Sequence, residues 1–322
     1  MVIRPADHGI FASSGGGAAP VAAYFAGGKT QTAPWYSILT IDKFAFADDS
    51  RTTLSAGLTA SSFGRHSLAG LANSAVAAYW AGGHATTGLY GSGSKTDVVD
   101  KFAFPDDSRT TLGTGLSGDR YLMGPAANSG VAGYFAGGEE ASRVDTVDKF
   151  AFSDDSRSTL GTGLSSSRDA LGGAANSGVA AYFAGGFWTA VTTVDKFAFS
   201  DDGRSTLSTG LSLAGGNMAG AANSGVAAYF AGGTTAYASR TTVDKFAFSD
   251  DGRTSLGTGL SNATYALAGA ANSGTAAYFA GGNSILTTVD KFAFSDDGRT
   301  TLGTGLSTGC EYLAGAADSG VL

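Results

Sequence analysis

One phrase recurs six times in 322 residues: an apolar strand ending in Ala-Gly-Gly, a spacer, then Asp-Lys-Phe-Ala-Phe and an Asp-Asp turn. The copies begin at Val21, Val76, Val131, Val179, Val226 and Thr275, 47 to 55 residues apart. A period of this size makes each copy one supersecondary unit, which buries its apolar surface only by packing on its neighbours. Repeats that cross every candidate boundary argue for one body over residues 21–322, preceded by an N-terminal extension, 1–20.

The fourth copy shows what the unit is. Val179-Ala180-Ala181-Tyr182-Phe183-Ala184 precedes Gly185-Gly186, and Thr193-Val194-Asp195-Lys196-Phe197-Ala198 follows after a short loop. The Asp201-Asp202 turn leads into Ser205-Thr206-Leu207, and Met218-Ala219-Gly220-Ala221-Ala222 opens the next unit through Asn223-Ser224-Gly225. These are four strand-length pieces rich in Val, Phe, Tyr and Thr with turn residues between them. No segment carries a helical stripe. Both faces of the Ala-Ala-Tyr-Phe-Ala strand are apolar, so the sheet is expected to be covered on both sides. The fold expected is all-β, a six-bladed β-propeller of four-stranded antiparallel blades. Its small-residue Ala-Gly-Ala-Ala strand suits the crowded axis. The chain starts on a second strand and stops on a first strand at Leu313–Leu322, so the C-terminal strand is expected to join the first blade and seal the ring.

The double glycine after an apolar strand, the Val-Asp-Lys-Phe strand and the polar turn resemble the kelch repeat over roughly residues 21–322. Arg65, Arg120 and Arg168 fall where kelch repeats often place an arginine after the fourth strand. The tryptophan of that family is replaced by Leu54, Leu112, Leu160, Leu207, Leu256 and Leu302. The regular texture also resembles uncharacterised repeat proteins of aquatic bacteria and tailed phages.

In an up-and-down blade, the Asn-Ser-Gly and Asp-Asp turns emerge on one face, nearly identical in every copy. The segments after each Gly-Gly and the interblade loops emerge on the other and differ every time, and recognition concentrates on variable loops of a rigid scaffold. The expected ligand-binding residues are therefore Trp35, Tyr36, Phe63, Arg65, His66, Tyr90, Arg120, Tyr121, Arg168, Trp188, Tyr237, Tyr265 and Tyr312. Tyr, Trp and Arg combine contact area with polar tips, the composition of binding hot spots.

Chemistry is harder to find. Each Asp-Asp pair lacks the alternating carboxylates of a calcium loop and reads as a turn. The Asp-Lys step puts its side chains on opposite faces of a strand, and a ring of interblade ion pairs is expected, such as Lys196 with an acid of a neighbouring blade. His8, His66 and His84 with the lone Cys310 make neither a metal set nor a disulfide. Gly91-Ser92-Gly93-Ser94-Lys95-Thr96 lacks the glycine before lysine of a phosphate loop. No catalytic residues, metal or cofactor are expected, and the chain reads as a non-enzyme.

The net charge of −7 arises mostly from the repeated unit, with no basic stripe, which argues against nucleic acid. No apolar run is long enough to insert in a membrane, and residues 1–20 lack the pattern of a signal peptide. The expectation is a soluble binding or structural propeller whose partner is a protein or glycan on a surface or within an assembly. A virion-associated tail or capsid accessory protein or a cell-surface module, attached by the repeated face or by residues 1–20, is the first form of this reading. A free carbohydrate-binding lectin is the second, and a cytoplasmic location is the remaining option.

Overall fold

The computed structural model describes residues 21–30, 37–59, 64–86, 93–188, 190–235 and 238–319. All regular elements among them are strands, in seven sheets. Six sheets repeat one antiparallel order, and this is a propeller-type architecture. In the fourth repeat Gly172–Asn176 pairs with Ala180–Ala184, then Val194–Ala198, then Arg204–Thr206. The fifth repeat adds a short strand, Ala238–Ser239. The seventh sheet, beyond the six expected, has three short strands and no repeat of its own. It joins Arg65–His66, His84–Thr86 and Gly93–Lys95, all from variable segments around the second repeat.

The sheet of the first repeat draws on both ends of the chain. Ala314–Ala317 pairs antiparallel with Ala22–Ala26, with Ala23 opposite Ala317 and Ala26 opposite Ala314. First strands also meet one another: each packs on the first strand of the next sheet, and the succession from Ala69–Asn73 through Ala314–Ala317 returns to its start.

Small residues make that approach feasible. A Cβ on Gly220 would stand 1.9 Å from the carbonyl oxygen of Gly173, and one on Gly173 would stand 1.8 Å from that of Pro125. Only hydrogen fits between these backbones. Farther out, every residue of Ala180–Ala184 is buried, as two-sided covering requires. Phe183 meets Phe197 edge-on within its sheet, while Tyr182 lies against Phe248 of the next. Each such side chain contributes roughly 1.5–3 kcal/mol by leaving water.

Polar staples then lock sheet to sheet. Lys196 Nζ contacts both oxygens of Asp251, at 3.0 and 2.8 Å, and the Tyr182 hydroxyl donates to the same carboxylate at 2.8 Å. Asp251 belongs to the turn of the following repeat, so the expected interblade partner of Lys196 is present. The same Lys–Asp–Tyr arrangement occurs in all six repeats. Beside each staple, the first aspartate of the pair accepts from the backbone two residues on, as Asp201 does from Gly203 N. Turn and staple therefore account for both aspartates.

Candidate functional site

The variable segments meet where the first two strands of each sheet run past the double glycine. A residue at or shortly before the start of each inner strand faces the residue directly after Gly-Gly. The six cross-strand pairs are Glu311 with Lys29, His66 with His84, Tyr121 with Glu139, Asp169 with Phe187, Gly216 with Thr234, and Tyr265 with Asn283. Scaffold positions repeat almost without change, yet no two of these pairs are alike. Together they form a collar.

Immediately inside the collar lies a closed belt of backbone hydrogen bonds. Ser67 N donates to Tyr312 O, Leu122 N to Ser67 O and Ala170 N to Leu122 O. Asn217 N then donates to Ala170 O, Ala266 N to Asn217 O and Tyr312 N to Ala266 O, all at 2.7–2.9 Å. All six residues have φ between 56° and 59°. That left-handed conformation costs an ordinary residue roughly 1–2 kcal/mol, offset here by a bond that an extended backbone would not form. The belt residues also line an axial cavity of about 90 Å³, walled below by the inner strands. Their side chains share no chemistry, so only the backbone geometry reveals the belt.

The collar is chemically lopsided. The sector from Glu311 to Phe187 carries its charged and most of its aromatic groups; Gly216 and Thr234 are small and buried. Lys29 sits over the Tyr312 ring at 4.9 Å and near Glu311. His66 stacks on His84 at 5.2 Å, and His84 meets the edge of Tyr121. Lys95 covers Tyr121 at 4.9 Å and pairs with Glu139 at 3.3 Å. Arg143 lies over Trp188 at 5.1 Å.

Burial sets the proton affinities. Burial first, then Lys29 and His84, brings the His66 imidazole down to about 3, so it is neutral near pH 7. Burial and the Glu139 carboxylate push the Tyr121 hydroxyl up to about 12. Burial raises Asp169, opposed by Arg143. Burial also pushes the Cys310 thiol up to about 12, away from the thiolate that would be nucleophilic. Among the described residues no three His, Cys, Asp or Glu side chains gather as a metal set. No helix is long and apolar enough to cross a membrane.

Of the residues expected to bind, His66, Tyr121, Tyr265 and Tyr312 stand in or beside the collar, and Trp188 is 62% exposed next to it. Trp35, Tyr36, Phe63, Tyr90 and Tyr237 lie outside the described residues. Arg65, Arg120 and Arg168 require correction: all are at most 1% exposed and point into the scaffold. Arg65 pairs with Asp100 at 2.8 Å, Arg120 with Asp148, and Arg168 with Asp195. The physical reason is the mid-strand aspartate, buried by the neighbouring sheet and in need of donors. Asp148 also accepts from Ser117 N, Ser117 Oγ and Thr159 Oγ1.

Sequence reasoning missed Asp169 and Glu139 as collar members. Their signal was alignment: Asp169 occupies the place of His66 and Tyr121, one residue before the belt, and Glu139 that of Lys29 and His84.

No family model matches the chain, and no curated protein matches it. Among solved structures it is similar to one titled "Structure of YjhT", with 14% identity and a TM-score of 0.66 over 88% of this chain and 99% of that one. That likeness bears on the fold alone, and the fold is propeller-type.

Proposed function

We propose that this chain is a non-enzymatic recognition module, a single closed six-bladed propeller that binds a partner through its collar face. The kelch resemblance rests on the repeat motifs. Closure is supported by the pairing of Ala314–Ala317 with Ala22–Ala26, by the cycle of inner strands and by the belt. In this reading the three-stranded seventh sheet is an ornament on the second blade. A propeller-like fold with these features suits binding or structural work.

One observation carries the reading: no two of six cross-strand pairs are alike on a scaffold that otherwise repeats. The favoured partner is a protein, on a surface or within an assembly such as a virion, rather than a glycan. Stacked sugars need open aromatic faces, and here Lys29 and Lys95 already cover Tyr312 and Tyr121. The neutral His66 and the high-affinity Tyr121 proton also suit framework and contact roles better than proton transfer near pH 7.

The test is mild cross-linking in the native source, comparing the unaltered chain with two variants. Combined Tyr121→Ala, Tyr265→Ala and Trp188→Ala should abolish the cross-linked partner. Combined Val131→Ser and Val179→Ser on the repeated face should leave it. The reverse pattern would overturn the collar reading. A glycan-array hit abolished by Trp188→Ala would replace the protein partner with a sugar.

A further inference from the structure

Two opposite charges beside the collar form an ion pair without a hydrogen bond. Arg143 Nε and Asp169 Oδ1 are 3.6 Å apart, and both are buried with no hydrogen-bond partner. The other Asp169 oxygen has no well-aligned partner either, although the residue is only 1% exposed; the backbone N–H groups of Asp169 and Trp188 lie near the carboxylate and partly offset its burial. Removing a carboxylate from water without well-aligned donors is costly, so acceptor capacity here is only partly spent.

The Arg143 guanidinium is engaged elsewhere. It lies 5.1 Å from the centroid of Trp188, whose ring meets Phe187 edge-on at 5.7 Å. Trp188 is nevertheless 62% exposed, so part of its surface faces solvent beside the buried carboxylate. An aromatic face next to an incompletely satisfied carboxylate is the pairing that suits a cation. Glu139 adds to the negative field at Asp169.

We propose that Asp169 and Trp188 form a cation subsite of the collar for an arginine or lysine side chain of a protein partner, with Arg143 as its loosely seated internal occupant. The proposal rests on the collar reading and names the chemistry that one sector of it recognises. An incoming guanidinium can give parallel donors to both carboxylate oxygens while stacking on the indole, a geometry that Arg143 does not reach. A neutral hydroxylated ring would add no counter-charge to the one that Arg143 supplies at 3.6 Å.

N-acetylargininamide is the probe, titrated by calorimetry into the full chain, with circular dichroism confirming the fold of each variant. Arg143→Ala should bind it roughly tenfold more tightly than the unaltered protein, because the internal competitor is gone. Adding Asp169→Asn, which removes the charge and keeps the shape, should abolish the gain, as should adding Trp188→Ala. Methyl glucopyranoside should bind neither chain. No gain from Arg143→Ala, a gain that survives Asp169→Asn, or preference for the sugar would each overturn the subsite. The collar reading has its own readout: it stands if the collar variant loses the cross-linked partner whatever the probe does, and falls if that variant keeps it.

Discussion

Lys291 Nζ lies 2.7 Å from Asp49 Oδ2, although 242 residues separate them. The same contact between Lys196 and Asp251 spans 55 residues at 2.8 Å. The two lysines are equally exposed, and each aspartate also accepts from a buried tyrosine, Tyr278 or Tyr182. The place where the sixth repeat meets the first is therefore built like any internal junction.

Equivalence at the seam has a measurable consequence. Asp49→Asn and Asp251→Asn should lower stability by similar amounts, roughly 1–2 kcal/mol each, since these partly exposed pairs are partly screened. Urea midpoints check this. An Asp49→Asn variant that opens in a separate, earlier transition would show a seam weaker than the internal junctions.

Arg120 should prove structural rather than ligand-binding. Arg120→Met leaves buried Asp148 with neutral donors and only the half-buried Arg157, 3.6 Å from its other oxygen, and strips a donor from the carbonyls of Gly137 and Thr146. The expected loss is about 3–5 kcal/mol. Adding Asp148→Asn should restore part of it, because the uncompensated charge disappears. Thermal unfolding of both variants checks the sign, and an unchanged midpoint in Arg120→Met would return this side chain to the binding face.

Arg120 lies at the boundary between what local sequence dictates and what only the assembled sheets decide. Repeat length, strand alternation and turn chemistry are local properties, so the sheet order and the partner of Lys196 were legible. The two faces were legible too, because loops of constant and variable sequence alternate. Arg120 was misplaced because the direction of a loop side chain depends on a buried acceptor in another sheet, Asp148. The belt through Ser67, Leu122, Ala170, Asn217, Ala266 and Tyr312 leaves no trace in residue type, since backbone groups alone build it. Asp169 was overlooked because its role depends on Arg143 and Trp188, which come from two other segments.

The inner ring should tolerate almost no added volume. Gly220→Ala would drive a methyl to 1.9 Å from the Gly173 carbonyl oxygen, backbone against backbone, and should cost about 3 kcal/mol or more. Gly113→Ala is the control: a Cβ there meets nothing within 4 Å, so its midpoint should hardly change. Equal midpoints for the two variants would mean that the inner strands can separate cheaply.

Alkaline pH should unfold the protein through its staples. Tyr24, Tyr79, Tyr134, Tyr182, Tyr229 and Tyr278 are buried, and burial together with their aspartate partners raises the pKa of each hydroxyl well above its ordinary value. The folded state thus holds these protons longer than the unfolded chain, whose tyrosines titrate near ~10. Their contribution is fully present below about pH 10 and is lost as pH rises toward the folded values, by up to roughly 1.4 kcal/mol per pH unit for each tyrosine. Phenolate absorbance from this set should appear only together with the loss of strand circular dichroism, and Tyr182→Phe should shallow the fall by one proton. Full phenolate signal from all twelve tyrosines in a still-folded chain would show that these hydroxyls are not held by their aspartates.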